Sequence, residues 1–274
     1  MKIGAFKRRV WNYYRTQRRA LPWRNLSSLS HARRAYYVLV SEIMLQQTQA
    51  ERVIPKYRAF VKRFPTVATL ADADFREVLS LWQGLGYNRR ARMLHRAARM
   101  IMEEHHGKIP RDEMTLRNLP GIGPYTAGAI CTFAYNLPAV IIETNIRSVF
   151  IHFFFSDSKA KIKDTDILPY IRKTLDRKRA AEWYSALMDY GSMLKRQGSN
   201  PSRKSSNYKR QSPYRNSDRE IRGAIIRTLL QGTCPILSLT LELQSYGRRR
   251  VLTQLCALSR EDMIIVKRGA VSVA

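Results

Sequence analysis

From residue 35 to about residue 155 apolar side chains recur at three- and four-residue steps, the period of helices that bury one face. Val53, Tyr57, Phe60, Val61 and Phe64 make one such stripe, with Pro55 marking a helix start close by. The stretch LADADFREVLSLWQGLG (70–86) predicts a capped helix: Asp72 or Asp74 as N-cap, Glu77 in the first turn, Gly84 and Gly86 as the stop. Strand-type alternation is scarce before residue 260, so the body is expected to be all-α. Near the end, REIRGAIIRTLL (219–230), LTLELQS (239–245) and GRRRVLTQLCALSRED (247–262) read as three helices, and MIIVKRGAVSVA (263–274) as two short strands around Arg268-Gly269. That order is the order of a winged-helix module, whose third helix lies in the major groove, and equally of a structural cap.

Three places break the pattern. The first is residues 36–45, an almost wholly apolar run that holds one acid, Glu42. An ionised carboxylate there costs several kcal/mol unless it is paired, or it takes up a proton instead. A helix that turns the acid toward solvent, or toward Arg33 or Arg34, accounts for it as well. The second is LPGIGPYTAGAI (119–130), a tight turn of little bulk running straight into an apolar helix. Backbone N–H groups at such a start, including those around Gly121 and Gly123, can hold a phosphate with help from the helix dipole. An ordinary corner between two helices has the same look. The third is VIIETNIRSVF (140–150), where Glu143 precedes a new helical pattern, which by itself is common capping chemistry.

Charge narrows the partners. The chain has 274 residues and a net charge of +28, from 49 Lys and Arg against 21 acids. Such an excess suits a polyanion: nucleic acid first, then an anionic membrane surface or a ribosome. A hydrophobic share of 45% excludes a disordered chain. No signal peptide or membrane span is read, and the three cysteines lie far apart, which fits a reducing, cytoplasmic location and predicts no membrane partner. Residues 195–219 hold eight Lys or Arg against one Asp, with serines and prolines. They are expected to be exposed, as a solvated linker or as a strip that touches phosphates.

Taken in order, LPWR (21–24), SEIMLQQTQ (41–49), VIPKY (53–57), RFPTV (63–67), LWQGLGYNRRARML (81–94), LPGIGPYTAGAI (119–130), ETNIR (143–147) and MDYGSM (188–193) resemble the helix-hairpin-helix superfamily of DNA glycosylases, and within it the MutY-type adenine glycosylases. The resemblance covers residues 15–194. It implies a two-lobed helical fold in which Glu42 is the catalytic acid, donating to N7 of a flipped-out adenine, with its pKa raised by burial. Glu143 would then stabilise the oxocarbenium-like sugar, with Tyr125 and Asn145 orienting the site. The family normally has Asp where this chain has Glu143, a displacement of about one bond length. Tyr125 stands where bifunctional relatives carry a lysine, so no Schiff base and no strand cleavage are expected. By the same resemblance Gln47 and Tyr87 wedge into the base stack, Thr48 and Leu85 contact the orphaned base, and Trp23 and Arg24 wall the adenine pocket. Asp189 matches a structural position.

Two further departures are expected to matter. The family's four-cysteine iron–sulfur cluster has no ligands here, because Lys195 stands at the first position and no cysteine occurs from 132 to 233. No redox cofactor is expected, although a monovalent cation at the hairpin is compatible. Lys195, Arg196 and the basic segment would offer phosphates positive charge directly. The tail is also too short for the family's usual domain that recognises 8-oxoguanine. The expected division is an N-terminal helix (1–24) packing with the second lobe, a helical lobe ending in the hairpin (25–133), a second lobe (134–194), the basic segment (195–219) and the winged-helix-like module (220–274). The expected function is a monomeric, monofunctional glycosylase acting on double-stranded DNA with a mispaired or damaged base, adenine opposite 8-oxoguanine or guanine. A thymine or uracil glycosylase of the same fold, or a binding protein without activity, remain the rivals.

Overall fold

Fourteen α-helices account for most of the chain in the computed structural model, which describes residues 1–274. In order they are α1 (Ile3–Gln17), α2 (His31–Leu45), α3 (Ala50–Arg63), α4 (Val67–Ala71), α5 (Phe75–Trp82), α6 (Arg89–His105), α7 (Glu113–Asn118), α8 (Pro124–Tyr135), α9 (Thr144–Phe154), α10 (Asp164–Thr174), α11 (Ala180–Arg196), α12 (Asp218–Gln231), α13 (Ile236–Glu242) and α14 (Arg248–Arg260). Three short strands, β1 (Cys234–Pro235), β2 (Ile264–Lys267) and β3 (Ala270–Val273), complete the set. The mainly helical body follows the hydrophobic period. Helix α5 starts at Asp74, whose carboxylate accepts from the Arg76 N–H at 2.7 Å, while Asp72 instead ends α4. Pro55 differs from expectation: α3 begins five residues earlier, so the proline lies inside the helix, where it forfeits one backbone bond.

The elements gather into two compact units. One contains Met1–Val38, Pro110–Asn118 and Ile122–Arg210; the other contains Leu39–Ile109, Leu119–Gly121 and Gln211–Ala274. These boundaries differ from those expected along the chain, because side chains pack on whatever is close in space: residues 25–38, 110–118 and 122–133 join the first unit, and the C-terminal residues join the second. No helix is long and apolar enough to cross a membrane.

The first unit is built on aromatic packing. Phe6 of α1 lies 5.2 Å from Phe150, 5.3 Å from Phe153 and 5.1 Å from Phe154 of α9, and 6.0 Å from Trp183 of α11. Around it Val10, Ile146, Ile167, Tyr184 and Leu187 are buried in one core. The basic segment is not simply an exposed strip. Residues 199–206 fold onto this unit through a 3₁₀ turn (Pro201–Lys204), with the Ile162 N–H donating to Lys204 O and the Ser206 N–H to Ile162 O, each at 2.9 Å. Lys204 Nζ donates to the carbonyls of Ser156 and Ser158, so this lysine serves the fold. Ser202 and Ser205 are buried, and residues 206–216 are exposed as expected.

Asp189, fully buried in α11, holds the N-terminal segment to the unit. Its carboxylate accepts from Arg19 Nε at 2.6 Å and from Arg24 Nη1 and Nη2 at 2.8 and 3.0 Å. Burial alone would push the Asp189 carboxyl up, but the Arg24 and Arg19 guanidiniums hold it below the usual carboxylate range.

In the second unit, Phe60, Phe64 and Trp82 stack edge to face, and the C-terminal module packs on α5 and α6. Arg92 of α6 lies 3.6 Å over the Phe75 ring and donates to Asp262 O; Arg76 Nη1 donates to Leu230 O at 3.1 Å. The module runs α12, β1, α13, α14, β2, β3, with antiparallel sheet order β1-β3-β2. This is the winged-helix order. Strand β1 escapes sequence reading because two residues carry no alternation, and α13 starts at Ile236, three residues before the expected start. Arg268 and Gly269 turn the β2–β3 hairpin with φ 48° and 76°, the two-residue turn that matches strand twist.

Replacing the buried Asp189 with Asn leaves two half-buried guanidiniums short of a countercharge and should cost roughly 3–5 kcal/mol in urea unfolding at neutral pH. A carboxyl with a depressed folded pKa stabilises above its unfolded value near ~3.9 and ceases to as pH falls through the folded one. The gap between parent and variant should therefore close in strong acid.

Candidate active site

Glu143 sits at the N-cap of α9 in extended backbone. Its Oε1 accepts from the Ile146 N–H at 2.8 Å and its Oε2 from Asn145 Nδ2 at 3.1 Å. Glutamate is an uncommon N-cap because its side chain is long; here the extra methylene folds the carboxylate back over the first turn of its own helix. Burial raises the Glu143 pKa, and the Asn145 and Ile146 N–H groups with the charges of Lys195 and Arg147 only partly offset it. Lys195, exposed in the last turn of α11, therefore acts on this carboxylate as well as being open to solvent, as is Arg196. Arg147 is itself held by Asp164 through two 2.7 Å bonds.

The geometry behind Asn145 explains one glycine. A Cβ at Gly191 would lie 2.4 Å from Asn145 O, so no other residue lets α11 approach the start of α9 so closely. Tyr125, in the first turn of α8, is half-buried and packs against the same core. Gly123 caps α8 with Pro124 at the first helical position; both are exposed, leaving this helix start open to solvent. Trp23 is buried, and the Arg24 guanidinium is engaged by Asp189 on both nitrogens, so its planar fork is already occupied.

The second unit carries the other expected residues. Glu42 is only 6% exposed, between buried Ser41 and Ile43. It does not face solvent, and Arg33 and Arg34 lie in the first turn of the same helix, about 12 Å away along its axis. Gln47 and Tyr87, the expected wedges, both adopt left-handed backbone, with φ 54° and 49°. Non-glycine residues there are strained, and such strain clusters at working sites. Leu85 is buried and its carbonyl accepts from Thr48 Oγ1 at 3.4 Å. Gly121, with φ 80°, packs so tightly on Met93 that a Cβ would lie 2.7 Å away, and its carbonyl accepts from Gln46 Nε2 at 3.3 Å.

One residue that sequence reading passed over organises this group. Arg90 Nη1 donates to the carbonyls of Ile43, Met44 and Gln46 at 2.9, 2.8 and 2.5 Å, satisfying the C-terminal end of α2. Its Nη2 donates to Thr48 Oγ1 and Gly86 O, both at 3.0 Å. The guanidinium also lies 5.5 Å from the centroids of both Trp82 and Tyr87. Burial lowers its pKa to about 10, which still leaves it charged at neutral pH. Tyr87 is held from the other side by Gln211 and by Arg219 Nη1, which donates to its hydroxyl at 2.9 Å. The one signal for Arg90 in the sequence is its place in the GYNRRARML stretch.

Residues 40–168 match the HhH-GPD superfamily base excision DNA repair protein model. The chain is 36% identical to adenine DNA glycosylase of Mycolicibacterium smegmatis over 243 residues, 82% of this chain and 80% of that protein. The chain belongs to this helix-hairpin-helix glycosylase family. It is also 36% identical to the adenine DNA glycosylase of Mus musculus, covering 70% of this chain but 38% of that protein, so it spans about two fifths of such mammalian relatives. Among solved structures, a thermostable thymine-DNA glycosylase matches with TM-score 0.60 at 22% identity, over 70% of this chain and 86% of that one. An endonuclease III–DNA complex matches with TM-score 0.55 at 15% identity, over 78% and 91%. Both show the same fold.

The residues of this chain do not fit an iron–sulfur cluster. Cys131 is buried and donates to Arg111 O at 3.1 Å, Cys234 lies in β1 and Cys256 is exposed on α14. No group of three metal-ligating side chains comes together. At the hairpin a cation would find backbone oxygens, of which Gly121 O is already engaged by Gln46.

The stability of Glu143→Gln relative to the parent should increase as pH rises from acid toward neutrality, as read by melting temperature across that range. An acid whose folded pKa lies above its unfolded one destabilises as pH rises through that window, and the amide removes this cost. A stability difference that does not change with pH would contradict the raised Glu143 pKa. Arg90→Met strands the carbonyls at the end of α2 and should cost about 2–4 kcal/mol in urea unfolding.

Proposed function

We propose that the chain is a monofunctional DNA glycosylase that hydrolyses the N-glycosidic bond of adenine mispaired with guanine or 8-oxoguanine. The observation that carries the reading is the anchored Glu143 carboxylate, fixed by a helix N–H and a side-chain amide before any substrate arrives. Such preorganised charge suits a cation that develops only in the transition state. The adenine nucleotide leaves the stack, with Gln47 and Tyr87 as the groups that fill the gap. Glu42 donates its proton to the purine as the C1′–N9 electron pair departs with the base. Glu143 stabilises the sugar cation, water adds at C1′, and the proton lost by that water restores the carboxyl pair. The products are free adenine and an abasic site. Tyr125 has no amine, so no Schiff base forms and the strand stays intact. Two facts favour adenine: the length of the match to the mycobacterial adenine glycosylase and the buried acid in the helix that the match includes.

Duplexes bearing each mispair, labelled and scored for alkali-labile sites, test the reading. Adenine opposite 8-oxoguanine or guanine should be released, and Glu42→Gln should slow single-turnover release by about 100-fold or more while leaving DNA affinity in place. Release of thymine in preference to adenine, or no release from any mispair, would overturn it.

A further inference from the structure

We propose that the outer face of α14 is a second DNA-binding surface, one that enters the major groove of duplex DNA. This rests on the glycosylase reading only in taking DNA as the polyanion the chain meets. Val251, Gln254, Leu255 and Leu258 bury one side of the helix in the module. Arg248, Arg249, Leu252, Thr253, Cys256 and Arg260 recur at helical spacing on the other side, all exposed, along an open groove of about 670 Å³.

Charge identifies the occupant. Helix α14 has four arginines and no acid. Arg250 turns inward, to Asn216 and Asp218, whereas Arg248, Arg249 and Arg260 make no ion pair. The nearby carboxylates are neutralised within the fold: Glu261 by Arg222 and Asp262 by Arg96. Arg248 and Arg249 moreover begin the helix, where its dipole repels cations and a sequence shaped for stability alone would place acids. An external row of anions removes that conflict. The helix is 13 residues long, about 20 Å, and its width matches the ~12 Å major groove. The module supplies the three-helix frame in which the third helix enters that groove. Between the arginines, Leu252, Thr253 and Cys256 offer the short apolar and hydroxyl groups that can meet base edges.

The test uses the full chain and equilibrium anisotropy on a fully paired duplex of about three helical turns, so it is decided whether or not the chain releases a base. Substituting Arg248, Arg249 and Arg260 together with alanine removes exposed side chains and favours the helix, so the fold should be kept and the melting temperature checks it. We expect affinity to fall at least about tenfold, and the slope of log affinity against log salt to shrink by about two to three, near 0.9 for each phosphate that is no longer neutralised. The matching triple lysine variant should restore most of the slope. Unchanged affinity and slope in the alanine variant would overturn the proposal, as would a lysine variant that binds no better than the alanine one.

Discussion

The closeness of α11 to the start of α9 is the constraint on which the catalytic reading depends. At Gly191 the two backbones meet without room for a Cβ, and Asn145 is the residue pressed against it. Asn145 in turn donates to Glu143, whose other oxygen caps the helix. A carboxylate held at both oxygens cannot turn away from the site, and its burial sets the elevated pKa. The long glutamate side chain is accommodated because it anchors on its own helix. The same α11 supplies Asp189, so the N-terminal segment and the acid share one support.

In the second unit a single guanidinium has a comparable role. Arg90 ties the end of the Glu42-bearing helix to the loop of Leu85, Gly86 and Tyr87, and cancels carbonyls that would otherwise face a largely apolar surrounding. Two strained residues, Gln47 and Tyr87, flank that arginine. Gln211, in the segment before α12, and Arg219 of α12 both reach the Tyr87 hydroxyl, so the C-terminal module is tied to the loop of Leu85, Gly86 and Tyr87. Residues 199–206 are held to the first unit by backbone bonds and lysine–carbonyl contacts.

Local chemistry explains what could be read from the chain. The helical period, the LPGIG turn, the acid in an apolar run and the Arg-Gly hairpin each depend on neighbours within a few residues. Glu42 stood out because burial conflicts with charge, and that conflict is visible in composition alone. Membership of the glycosylase family was legible for the same reason, since its motifs are short and ordered along the chain.

The remainder depends on partners far apart in sequence. Arg24 finds Asp189 165 residues away, and Arg219 finds Tyr87 at a separation of 132. Nothing in either segment marks its partner, because an arginine satisfies any carboxylate or hydroxyl that packing brings near. The sequence by itself determined the mainly helical element types and the family, and it singled out the two acids on which the proposed chemistry rests. Only the tertiary structure decided which arginines serve the fold, which face of α14 stays open, and how closely α11 approaches the start of α9, because these follow from how buried helices approach one another and not from local pattern.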